Sequence, residues 1–150
     1  MGNAVSLTNL KLINFEDMQT AIRDSLKETG KIIIINTLSE KNQTCLIRGT
    51  TPIELEEQLI NSYMNKMNSS TIVLYGINSS DKLVYKKYEQ LVKLGFYNVF
   101  IYAGGLFEWL LLQDIYGYDM FPTTKKENDL LKYKGNKQFN LKLIAYTTTF

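Results

Sequence analysis

Histidine is missing altogether, and cysteine occurs once, at Cys45. Without an imidazole the chain has no general base of the usual kind, so a serine or threonine nucleophile has no partner to activate it. The same two scarcities leave no donor set for zinc or another soft metal. A lone cysteine also excludes an internal disulfide and fits a reducing compartment. Charge of one sign is scarce too: 17 basic and 15 acidic residues leave a net +2. With both signs interspersed, no basic field marks a nucleic-acid surface. The longest apolar runs fall far short of the ~20 residues that a membrane-spanning helix needs. No motif implies a cofactor.

What the 150 residues do contain is enough chain for one ordinary domain with a sizeable core. It is organised around the stretch from Thr71 to Gln113. Thr71 to Tyr75 is an apolar, β-rich run, and the polar loop Gly76-Ile77-Asn78-Ser79-Ser80 follows it. Val84, Tyr88, Leu91 and Val92 then recur at helical spacing, and Gly95 is placed to end that helix in a left-handed cap. A second apolar run, Asn98 to Tyr102, leads to Gly104-Gly105 and an apolar helix over Leu106–Ile115 carrying Trp109. Strand, loop, helix and strand in that order predict a βαβ unit with parallel strands. In such units ligands and chemistry gather where a strand hands over to a helix N-terminus.

The run LGFYNVFIYAGGLFEWL resembles the end of a rhodanese-like domain, in which a helix closes on Leu-Gly-Phe and a strand, a Gly-Gly pair and a Trp-bearing helix follow. LIRGT at Leu46–Thr50 is similar to a second, divergent signature of that family. The resemblance spans roughly Phe15 to Leu112 and implies an α/β fold, a central parallel sheet flanked by helices, here with a C-terminal extension. It also implies a sulfurtransferase loop directly after the central strand, where backbone amides stabilise a cysteine thiolate and then a persulfide. Aligned on Tyr75, the cysteine position holds Gly76, and the loop Gly76-Ile77-Asn78-Ser79-Ser80-Asp81 contains no thiol. The cation that the family often carries near the loop's end is also lacking, unless Lys82 serves. After the strand Lys31–Ile35, where the family places an aspartate and an arginine, the chain reads Asn36-Thr37-Leu38; Leu46 stands where it has a histidine.

Geometry remains when the nucleophile is gone. The loop's amides, with Asn78, Ser79 and Ser80, could hold a small anion. The plainer reading is that Ser79 or Ser80 caps the following helix. Asp81 suits a first helical turn but would repel an anion in the same pocket. Cys45 is the one candidate for a displaced nucleophile, its pKa lowered if Arg48 faces it; a small buried hydrophobe is the plainer role.

Elsewhere, Asn14 is placed to cap a helix over Phe15–Lys27 with Met18, Ile22 and Leu26 as its apolar stripe, stopped by Gly30. Thr51 and Pro52 open another helix, with Leu55, Leu59, Ile60 and Tyr63 facing inward and Glu54, Glu56 and Glu57 complementing its dipole. The start, Met-Gly-Asn-Ala-Val-Ser, matches the acceptor pattern for N-myristoylation at Gly2, with an accidental match as the alternative. One acyl chain anchors only reversibly, so the expected location is cytoplasmic with reversible membrane association. The expected divisions are an N-terminal arm over 1–14, the domain over 15–121, and an extension over 122–150. Across that last boundary Phe121-Pro122-Thr123-Thr124 is read as a turn or linker leading into the extension. The extension ends in an alternating run (Phe139, Leu141, Leu143, Ala145) that either packs on its own domain or docks a partner.

The function expected from these residues is a rhodanese-like module without catalysis, binding a protein partner or a small anion. Two readings from other classes stand beside it: an active sulfurtransferase using Cys45, and a structural accessory that docks through its tail.

Overall fold

The computed structural model describes residues 10–27, 31–66 and 69–139. The Gly2 acceptor pattern, the Gly30 stop and the alternating run beyond Phe139 lie outside the described residues. Four strands, β1 (Leu12–Ile13), β2 (Ile32–Asn36), β3 (Thr71–Tyr75) and β4 (Val99–Tyr102), form one sheet in the order β1-β4-β3-β2. Every pairing is parallel. The helices are α1 (Phe15–Ser25), α2 (Ile53–Tyr63), α3 (Leu83–Leu94) and α4 (Gly105–Tyr116).

Strand alternation divides the core in two. Ile34, Val73, Tyr75 and Tyr102 point to the face covered by α1 (Met18, Ala21, Ile22) and α4 (Leu106, Trp109, Leu110). Ile33, Ile35, Ile72, Leu74, Val99 and Ile101 point to the face covered by α2 (Ile60) and α3 (Val84, Tyr88, Leu91). Because both faces are covered, β2 and β3 read as unbroken apolar runs rather than alternating ones. Trp109 is fully buried, edge-on to Phe121 with ring centroids 5.0 Å apart, and its Nε1 donates to the Pro122 carbonyl at 3.1 Å.

Local chemistry sets the ends of the elements. Asn14 and Asp17 form a reciprocal capping box at α1. Gly95 closes α3 at φ 108°, a left-handed conformation that glycine adopts without a Cβ clash. Two helix stripes differ from the spacing-based expectation. Helix α1 ends at Ser25, so Leu26 lies past its last turn and is exposed. Leu55, expected to face inward on α2, is exposed as well, whereas Ile60 of the same expected stripe is buried.

Leu12–Ile13, placed by sequence in an arm, is an edge strand whose Ile13 pairs with Tyr102. The run after Phe121 is not a linker. Phe121, Thr123 and Tyr133 are buried, Thr123 bridges Ile47 antiparallel, and Thr124 N donates to the Leu46 carbonyl at 2.8 Å. The described part of the extension therefore packs on its own domain.

Candidate functional site

The loop that leaves β3 at Gly76 and enters α3 at Leu83 sits at the carboxyl edge of the sheet. Its backbone is clamped by the start of α4: Leu106 N donates to the Gly76 carbonyl and Phe107 N to that of Ile77, both at 2.9 Å. That approach explains Gly105. Its φ is +70°, and a Cβ there would lie 2.8 Å from the Gly76 oxygen and 2.9 Å from Asn78 N, both backbone atoms that cannot step aside. Gly104 serves a different contact, because a Cβ there would meet the Glu108 carboxylate, which accepts the Tyr102 hydroxyl proton at 2.7 Å. Burial and that carboxylate both push the Tyr102 phenol above its ordinary pKa.

Inside the loop the principal group is Asp81. Its Oδ2 accepts from Ile77 N at 3.0 Å and from Thr37 Oγ1 at 3.2 Å, and its Oδ1 accepts from Leu83 N at 2.9 Å. The side chain bends back over the start of the loop. A Cβ at Gly76 would stand 2.4 Å from Asp81 Oδ2 and 2.8 Å from both Asp81 Cβ and Cγ. Gly76 has no positive φ, so its backbone would accept another residue, and the carboxylate is what keeps it glycine. The chain has put its own anion into the loop.

The other loop residues hold the turn and its cover. Asn78 Oδ1 accepts from Ser80 N at 2.9 Å, and its carbonyl accepts from Asp81 N. Asn78 Nδ2 donates to the Tyr133 carbonyl at 2.9 Å, and Gly135 lies against Ser80, so the C-terminal run covers the loop from outside. Ser79 and Ser80 are exposed. Neither is the helix cap that sequence assigned them: Lys82 occupies the cap position, and the first-turn amide of Leu83 goes to Asp81. The sequence signal for this was present, since aspartate before an apolar helical run is a strong capping residue. What spacing could not give was its reach back to Ile77 and Thr37.

Cys45 is buried, and its thiol donates to the Lys125 carbonyl at 3.2 Å. Burial pushes its pKa up, with the Thr123 hydrogen bond opposing. Arg48, which could have lowered it, faces elsewhere: its guanidinium lies over the Tyr118 ring at 5.9 Å and donates to the Tyr118 hydroxyl. LIRGT is instead a structural corner. The Tyr75 hydroxyl accepts from Ile47 N at 3.1 Å and pairs with Thr50 Oγ1 at 2.7 Å, fixing this segment to the end of β3. Among the described residues no group of three or more His, Cys, Asp or Glu side chains could hold a metal ion, and no helix is long and apolar enough to cross a membrane.

The model of the rhodanese-like domain matches residues 21–112. No curated protein matches the chain. Among solved structures, the BH2092 protein of Bacillus halodurans superposes with a TM-score of 0.55 at 17% identity, covering 91% of this chain and 89% of its own. The Alr3790 protein of Anabaena sp. gives 0.50 at 19% identity, covering 80% and 86%. RDL2, a single-domain sulfurtransferase of Saccharomyces cerevisiae, gives 0.47 at 15% identity, covering 79% of this chain and 100% of its own. At such identities the likeness concerns the fold. With a matched stretch that runs from α1 into α4 and takes in the parallel strands β2, β3 and β4, the chain belongs to the rhodanese-like domain family.

Proposed function

We propose that this is a rhodanese-like domain without sulfur-transfer activity, retained as a protein-binding or regulatory module. One observation carries the reading: the Asp81 carboxylate fills the space that any side chain at position 76 would need. A persulfide-bearing loop requires a thiolate there and amides directed at it. Here position 76 is glycine, and the Ile77 and Leu83 amides are committed to Asp81. A small anion in the same loop would have to displace that carboxylate and stand against its charge, so a protein partner is the better-supported ligand. Exposed Leu111, Ile115, Tyr116 and Met120, on and just after α4, supply apolar surface for such a partner. Sulfur transfer by Cys45 is disfavoured by its burial and raised pKa.

The test is a thiosulfate-to-cyanide sulfur-transfer assay on the full chain beside Cys45→Ser, Gly76→Cys and the double variant Gly76→Cys/Asp81→Ala. The parent and Cys45→Ser are expected to be silent, and a cyanide-labile persulfide is expected only when the new thiol is introduced with Asp81 removed. Turnover by the parent that disappears in Cys45→Ser would overturn the reading and make Cys45 the nucleophile.

A further inference from the structure

Beside the edge strand β2, a groove of about 580 Å³ opens between the end of α1, the Gly49–Pro52 corner and α2. Its volume lies in the ~300–1,000 Å³ range of sites that enclose an extended small molecule. The walls are mostly apolar, from Leu26, Ile32, Pro52, Leu55, Leu59 and Tyr63, with hydroxyls and the Gln58 amide at intervals. Leu26 and Leu55 are 62% and 51% exposed, so two leucines at helical stripe positions face this groove rather than the core. No charged side chain is among the lining residues.

The sequence supplies an occupant. Residues 1–9 lie outside the described chain and carry the acyl-acceptor pattern at Gly2 and Ser6. The described chain begins at Leu10, which packs against the same cluster as Leu59 and Tyr63 of the groove wall. The pairing of Leu12 with Ile101 sets Leu10 level with Val99, which shares the level of Ile72 and hence of Ile33 in the groove. Between β1 and β2 lie three strand spacings, about 14 Å. Nine residues reach at most about 30 Å when extended. The arm can therefore cross the lower edge of the sheet with chain to spare.

We propose that the groove beside β2 holds a myristoyl chain carried on Gly2, folding the acyl group against the protein until a membrane or partner draws it out. A single myristoyl chain free in solution binds bilayers with a constant of about 10⁴ M⁻¹. Sequestration lowers that constant; a charge in the groove restores it.

The experiment uses the full chain co-expressed with an N-myristoyltransferase, with acylation read by intact mass and Gly2→Ala as the unmodified reference. The acylated parent and acylated Leu26→Glu/Leu55→Glu are each titrated with phosphatidylcholine vesicles. Both leucines are already exposed, so the double variant should keep the parent's circular dichroism. It is expected to bind vesicles at least tenfold more tightly than the acylated parent, while the unmodified forms of both stay unbound. Acylation is also expected to raise the melting temperature of the parent and not that of the variant. Failure to acylate, equal vesicle binding by parent and variant, or a melting temperature indifferent to acylation would each overturn the proposal. So would a parent dimer that the double substitution dissociates, which would make the groove a contact between copies.

Discussion

If Asp81 is what holds position 76 as glycine, substitutions at the two positions must be strongly non-additive. Asp81→Ala removes a carboxylate that accepts from Ile77 N, Thr37 Oγ1 and Leu83 N. Hydrogen bonds to a charged group contribute about 1.5–3 kcal/mol each when buried, but water replaces part of this at a half-exposed loop, so a total near 2–4 kcal/mol is expected. Gly76→Cys sets a Cβ 2.4 Å from Asp81 Oδ2 and must expel the same carboxylate from the same donors. Its cost should be of the same order, roughly 2–4 kcal/mol. In the double variant the carboxylate is already gone and only the Cβ at position 81, 2.8 Å from the new one, must still shift, so the total should fall well short of the sum of the two single costs. The coupling is then about 1 kcal/mol or more, against the ~0.5 kcal/mol within which independent sites add. Urea denaturation of the four proteins measures it, provided their m-values agree. Each single variant should also melt roughly 5–15 °C below the parent, at the 2–4 °C per kcal/mol usual for this size. Costs that simply add would refute the assignment of Gly76 to Asp81.

Further outcomes follow from other contacts. Gly105→Ala should cost well over 2 kcal/mol, since it combines a left-handed φ with backbone contacts at 2.8 and 2.9 Å; a thermal melt that stays within about 2 °C of the parent would contradict the clamp between α4 and the loop. The Cys45 thiol should react with a disulfide reagent at pH 8 far more slowly in the native protein than in urea, because burial raises its pKa and shields it; equal rates would mean the site is open. Stability should fall as the pH rises above about 8.5. Cys45, Tyr75, Tyr102 and Tyr133 all have raised pKa values in the fold, so the unfolded chain sheds its protons first, the thiol near 8.5 and the phenols near 10. Chemical denaturation at pH 7, 9 and 10.5 checks this, and unchanged stability at 10.5 would contradict it.

The sequence made the β3-loop-α3-β4 unit legible because each part carries its own local signal. Two apolar runs flank a 3.6-period stripe that stops at Gly95, and Gly104-Gly105 precedes a Trp-bearing helix. What it could not give depends on contacts between distant positions. Thr37 meets Asp81 across 44 positions, and Asn78 meets Tyr133 across 55. A two-residue strand such as Leu12–Ile13 has no period to read. Leu26 and Leu55 fit their helical stripes by spacing, but spacing does not say where α1 stops or how α2 is turned on the sheet. The candidate loop was legible as a loop without a thiol; that a carboxylate fills it was not, because helix capping and loop filling use the same aspartate.

The run from Pro122 to Tyr133 bears on how short this chain can be and still fold. A chain cut after Phe121, at the length the family's own size suggests, would lose Pro122 as the acceptor of the Trp109 indole, Thr124 from the Leu46 corner and the Tyr133 side chain from the core. It would also uncover Cys45, whose thiol rests on the Lys125 carbonyl. The one thiol of the chain, buried in the full structure, would then face solvent, free to join two chains through a disulfide. What looks like a tail is thus part of the wall that buries this domain's one thiol, with Tyr133 set in the core behind it.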